Sequence, residues 1–145
     1  MEAVAKLKSC PMSARKMRMV VDLIRGKNVD EALDILRFTK KEAAVWLEKV
    51  LLSAISNWEY KLGGAENADD YDLFVKTAFS DEGTMLKRFR PAPHGRAHRI
   101  RKRTNHITII VENRIALPSD AEDLYEEEEL EEDLVEVDEV EATEE

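Results

Sequence analysis

Between Glu82 and Glu112 the chain carries no acid. Over that interval it places eight cations, Lys87, Arg88, Arg90, Arg96, Arg99, Arg101, Lys102 and Arg103, together with all three histidines, His94, His98 and His106. Unpaired charges cannot enter an apolar core, because nothing there replaces their hydration. Any fold must therefore hold this segment outside its core. The flanks indicate how. Residues 71–80, YDLFVKTAFS, and 105–113, NHITIIVEN, are rich in β-branched and aromatic side chains and read as strands. Pro91, Pro93 and Gly95 fall near the midpoint, where a hairpin would turn. The pattern predicts a long β-hairpin, about 80–107, with packed roots and a free tip. At about 3.3 Å per residue the arm from Ser80 to Pro93 could project roughly 40 Å. A two-stranded ribbon of like charges is marginal in water, so the arm is expected to order only around a polyanion.

The basic arm belongs to an acidic protein, of formal net charge -9. The charge is segregated. Of 31 acids, 16 lie from Asp120 onward, where there is no Lys or Arg. Residues 1–119 thus hold all 22 basic residues against the remaining 15 acids, a formal charge of +7. Such asymmetry suggests a body that meets nucleic acid and a tail with a separate task. The reading divides the chain into a globular unit, 1–116, and a low-complexity acidic tail, 117–145, expected to be disordered or transiently helical through Leu130, Leu134 and Val137.

Before the arm, residues 3–9, AVAKLKS, alternate as a short strand with Ala3, Ala5 and Leu7 on one side and Lys6 and Lys8 on the wet side. Three helices are predicted next. Ser13 would cap the first, Met17, Val20, Val21 and Ile24 would form its apolar stripe, and Gly26 would stop it. Arg15, Lys16, Arg18 and Arg25 lie on its opposite face. Asn28 with Glu31 resembles a capping box for a second helix through Val29, Ala32, Leu33 and Leu36. Thr39 with Glu42 repeats that signal for the longest helix, roughly Lys40 to Leu62, with Leu47, Leu51, Ile55, Trp58 and Leu62 as its stripe and Gly63-Gly64 as its end. Trp46 and Trp58 read as core or edge-of-core residues. The fold class is α+β: three helices on a small antiparallel sheet with a protruding hairpin.

Catalysis finds little support. Pro91, Pro93 and Gly95 argue against a helix that would bring His94 and His98 together. In an extended chain those rings stand about 13 Å apart, too far to share a metal ion. No acid is near enough in sequence to orient a histidine as a base. No catalytic residue, metal or cofactor is therefore expected. The single cysteine, Cys10, cannot form an internal disulfide and reads as a small semi-buried residue. No apolar run approaches the ~20 residues of a membrane span, so no membrane partner is expected. Localisation is expected inside a bacterium or organelle.

RNA is the partner that the residues favour. Arginine's planar fork donates in pairs to phosphate, and duplex RNA is recognised mainly through shape and backbone. Lys6, Lys8, Arg15, Lys16, Arg18, Arg25 and Lys27 supply a second basic patch. A free nucleic-acid chaperone with an acidic regulatory tail is the alternative reading.

At this point the chain resembles a known family. Ser13-x-Arg15-Lys16-x-Arg18, Asp22-Leu23-Ile24-Arg25-Gly26-Lys27, Gly83 with Lys87-Arg88, Gly95-Arg96-Ala97, and Arg101-Lys102-Arg103-Thr104-x-His106-Ile107-Thr108 are similar to motifs of the bacterial-type large-subunit ribosomal protein family number twenty-two. The likeness runs from about Val4 to Glu112. It implies three helices on a small antiparallel sheet, large-subunit ribosomal RNA as ligand, a part in assembly, and one copy per ribosome beside neighbouring ribosomal proteins. It adds Thr104 and His106 to the RNA-binding residues. It also implies that the hairpin tip, Arg90, Pro91, Ala92, Pro93, His94, Gly95, Arg96 and Ala97, lines the nascent-peptide exit tunnel near the macrolide site. Pro93 and His94 depart from the more basic tip expected of the family, and the acidic tail is no part of its pattern.

Overall fold

Strand β1, Glu2–Cys10, opens the chain and buries alternate residues, Ala3 and Ala5, while Lys6 and Lys8 stay exposed. A computed structural model describes residues 1–62 and 71–115. Its further elements are α1, Ala14–Ile24; α2, Val29–Phe38; α3, Glu42–Lys61; β2, Leu73–Pro91; and β3, Ala97–Asn113. The sheet is antiparallel in the order β1-β3-β2, so the last strand lies in the middle. Met1–Arg114 form one compact unit.

The α+β architecture agrees with the sequence reading, and the α1 stripe is the expected one. Met17, Val20, Val21 and Ile24 are wholly buried. Each buried side chain of this size contributes about 1.5–3 kcal/mol. Opposite them lie Val75 and Ala78 of β2 and Ile107, Ile109 and Val111 of β3. Val75 and Ala78 are three residues apart yet share the inner face, because the register shifts between Val75 and Thr77. Lys76, the extra residue, points outward and bonds Glu2 and, at 3.0 Å, Glu112. Helix α3 lies along β1 and buries Ala43, Ala44, Leu47, Val50, Leu51, Ala54 and Trp58. Ile55 and Leu62 of the expected stripe are half-buried. Trp58 is fully buried, its ring centroid 5.4 Å from that of Tyr71, whereas Trp46 is half-buried with the Lys49 ammonium 6.0 Å over its ring.

The capping expectations need correction. Ser13 and Asn28 occupy the N-cap positions of α1 and α2, but neither side chain makes a capping bond. The Asn28 amide instead donates to Asp72 at 2.9 Å, tying the start of α2 to the residue before β2. Thr39 does not start α3. It closes α2, its hydroxyl donating to the Ile35 carbonyl at 2.6 Å, and Lys41 stands at the N-cap of α3. A threonine hydroxyl can serve either helix end, and the backbone bonds of Thr39 to Ile35 and Leu36 decide which. Gly63-Gly64 lies outside the described residues.

Within the body, side chains and neighbouring backbone bond to both outer edges of the sheet. On β2, Arg25 grips the Ala78 carbonyl through Nε at 3.2 Å and Nη2 at 2.9 Å, and Arg18 Nε holds the Ser80 carbonyl at 3.0 Å. The Gly26 amide donates to Val75, and the Val75 amide donates to Lys27. On β1, Asn57 donates to the Val4 carbonyl and Lys61 to that of Glu2. Unpaired edges invite pairing with foreign strands, and these donors occupy them.

Candidate nucleic-acid interface

The hairpin grows from a braced root. β1 accompanies β3 as far as the Cys10–Asn105 pair, and beyond it only β2 and β3 continue. The β2–β3 register shifts again between Glu82 and Met85. Here Gly83 passes so close to β3 that a Cβ would stand 2.5 Å from Thr104 Oγ1 and 3.2 Å from His106 Nε2. The Thr104 hydroxyl donates to the Thr84 carbonyl at 2.7 Å. The Ser9 amide donates to His106 Nδ1 at 3.0 Å, so the neutral ring carries its proton on Nε2. Ser9 itself sits at φ 58 in a bulge of β1. Thr104 and His106, candidates for RNA contact, thus also brace the root. At the same level Asn105 and Ser80 are buried, and the Ser80 hydroxyl and both polar atoms of the Asn105 amide find no hydrogen-bond partner among the described residues. Nearby Cys10 is buried, and burial, with Glu42 beside it, pushes its thiol upward, away from the reactive thiolate.

Past the root seven residue pairs run without a break, Met85–Arg103, Leu86–Lys102, Lys87–Arg101, Arg88–Ile100, Phe89–Arg99, Arg90–His98 and Pro91–Ala97. Paired residues share a face, and alternate residues along a strand do too. One face therefore carries Met85, Lys87 and Phe89 against Arg103, Arg101 and Arg99. The other carries Leu86, Arg88 and Arg90 against Lys102, Ile100 and His98. From Gly83 to Pro93 the free ribbon can reach about 33 Å. The tip closes as the sequence suggested. His94, at φ 60 and ψ 34, and Gly95, at φ 67, are both left-handed, with the Arg96 amide donating to Pro93 at 3.4 Å. This is the geometry of a type I′ turn, which matches the twist of a hairpin. His94 does at this corner what asparagine commonly does.

The predicted site residues fall into two groups. Lys87, Arg88, Arg90, Arg96, Arg99, Arg101, Lys102 and Arg103 form no ion pair among the described residues and project from an exposed ribbon. Of the body patch, Lys6, Lys8, Arg15, Lys16, Arg18, Arg25 and Lys27 are exposed, yet Arg25 also meets Asp22 at 3.1 Å and Lys27 meets Glu31 at 3.8 Å. Arg18 and Arg25 are divided between the sheet edge and the solvent. Sequence reasoning missed this division, since both partners are carbonyls more than fifty residues away. The three histidines are spread over tip, ribbon and root. Among the described residues no group of three or more His, Cys, Asp or Glu is arranged to hold a metal ion, and no helix is long and apolar enough to cross a membrane.

Braced α+β body and cationic ribbon together define a class of protein, one with a projecting basic arm. The particular family follows from comparison with known proteins. Residues 5–112 match the family model described as Ribosomal protein L22p/L17e, and the chain belongs to that family. It is 61% identical over 109 residues to the large ribosomal subunit protein uL22 of Flavobacterium johnsoniae, covering 75% of this chain and 79% of that one. It is 58% identical over 109 residues to the uL22 of Christiangramia forsetii, covering 75% and 80%, and 53% identical over 110 residues to that of Bacteroides fragilis, covering 76% and 79%. The family is a structural, non-enzymatic component of the ribosome. The acidic tail, 117–145, lies beyond the matched residues and outside the described ones.

Proposed function

We propose that this chain is an architectural constituent of the large ribosomal subunit that binds large-subunit ribosomal RNA, threads its hairpin between RNA segments and helps them assemble. The observation that carries this reading is the ribbon itself: seven cations on two faces and Arg96 at the tip, none paired with an acid among the described residues. Exposed cations spaced along a strand meet repeating phosphates, and bound counterions leave as they do. RNA in turn offsets the repulsion that loosens the free arm. The tip, Arg90 to Ala97, lines the nascent-peptide exit tunnel near the macrolide site, so a nascent peptide passes His94 and Gly95. Neighbouring ribosomal proteins are further partners, and one copy serves each subunit. Family membership and the uL22 names of the relatives support the assignment to the large subunit.

Quantitative mass spectrometry across a high-salt sucrose gradient of cell lysate tests the reading. The expected result is about one copy per large subunit, retained through the wash. A photo-crosslinking residue at Ala92 should then capture nascent chains on translating ribosomes. Protein at the top of the gradient would overturn the architectural reading in favour of the free chaperone.

A further inference from the structure

The two faces of the ribbon differ in a way that charge alone does not explain. On the face of Leu86, Arg88 and Arg90, apolar and cationic side chains are mixed on both strands. On the opposite face one strand carries cations alone. β2 supplies Met85 and Phe89 on either side of Lys87, while β3 supplies Arg99, Arg101 and Arg103. Phe89 is 71% exposed. Around it Met85, Lys87, Phe89, Arg99, Ile100 and Arg101 line a hollow of about 460 Å³. That volume falls within the range of small-ligand sites.

A single exposed aromatic ring is ordinary. An aromatic ring in a hollow, beside a row of cations repeated at every second residue, is the arrangement that binds single-stranded nucleic acid. Bases stack on the ring while the backbone follows the cations. A duplex would present sugars and phosphates and leave Phe89 uncovered. In RNA, bases available for stacking are those splayed from loops and bulges. We propose that this face holds an unpaired nucleotide of RNA, its base stacked on Phe89 beside Met85 and its phosphates held by Lys87, Arg99 and Arg101. The mixed face then meets paired RNA through its backbone. The inference rests on the RNA-binding reading and narrows it to an unpaired base at one face of the ribbon.

The full chain can be tested with two RNA stems of one sequence, one fully paired and one interrupted by a three-nucleotide bulge. Wild-type protein should bind the bulged stem more tightly. Phe89→Ala should lose about five- to a hundredfold of affinity for the bulged stem, with little change for the paired one. Leu86→Ala, on the mixed face, should keep the preference. Arg101→Ala should weaken both stems. With 5-iodouridine in the bulge, photo-crosslinks should map to Phe89. An unchanged preference in Phe89→Ala, or crosslinks mapping to other parts of the chain, would overturn the pocket and leave RNA binding intact. Failure of wild-type protein to bind either stem would overturn both readings together.

Discussion

Lys87 stands directly across the ribbon from Arg101. Like charges at opposed positions of an antiparallel pair repel, and no acid among the described residues relieves them. The free ribbon therefore carries a built-in instability that a polyanion would remove. Lys87→Glu should convert the repulsion into attraction. Backbone amides of Met85 to Phe89 in the free protein should then exchange about two- to fivefold more slowly, and RNA affinity should fall. Exchange as fast as in wild type would mean that repulsion does not govern the order of the arm.

Gly83 is where the ribbon leaves the body. A methyl group there meets the Thr104 hydroxyl, the His106 ring and the Thr104 backbone, none of which is the end of a flexible chain. Gly83→Ala should cost about 1–3 kcal/mol of stability in urea unfolding, as overpacking does. Adding Thr104→Ala should restore part of it. Additive losses would show that the close approach is not the cause.

Arg18 and Arg25 hold α1 to the edge of β2. Arg25→Met keeps the aliphatic packing but leaves the Ala78 carbonyl without its two donors. Unfolding free energy should fall by about 1–2 kcal/mol, with partial recovery in Arg25→Lys, whose single ammonium cannot reproduce the fork. RNA affinity should fall less for Arg25→Met than for Arg101→Met, since among the described residues Arg101 has no ion pair or carbonyl grip to divide its charge. Equal losses would mean that both act mainly on RNA.

The exposed cluster of Glu2, Lys76 and Glu112 gives stability a pH dependence at both ends. The Lys76 ammonium, bonded to Glu2, holds that carboxyl below its ordinary 4.5, and bonds to Glu2 and Glu112 hold the ammonium above 10.5. A depressed carboxyl stabilises the fold above its unfolded value and ceases to as pH falls through the folded one. A raised ammonium stabilises below its unfolded value and ceases to as pH rises through the folded one. Lys76→Met should therefore lower the urea midpoint between these limits, by a small amount that salt diminishes, and converge with wild type below and above them. A midpoint difference that persists at strongly acid pH would assign the effect to packing.

The hairpin was legible because its cations had nowhere else to go and its turn residues sit between two strand patterns. The α1 stripe was legible because Met17, Val20, Val21 and Ile24 repeat at helical spacing. Thr39 was misplaced because the capping signal Thr-x-x-Glu is local, and the bond to Ile35 runs the other way along the chain. The apolar row of Met85 and Phe89 was visible as letters. Its placement opposite Arg99, Arg101 and Arg103 depends on register, which the bulge at Gly83 sets.

What the sequence determined by itself is what composition, charge and period decide: three amphipathic helices, alternating strands, a basic arm forced outside the core, and an acidic tail. These follow from each segment's own demand to bury apolar groups and hydrate charged ones. The tertiary structure decided which residues share a face of the ribbon, which arginines spend their donors on the sheet edge, and which groups brace the root. Ser9 meets His106 across 97 residues and Arg18 meets Ser80 across 62. Contacts of that separation exist only once strands and helices have packed, so no local pattern announces them.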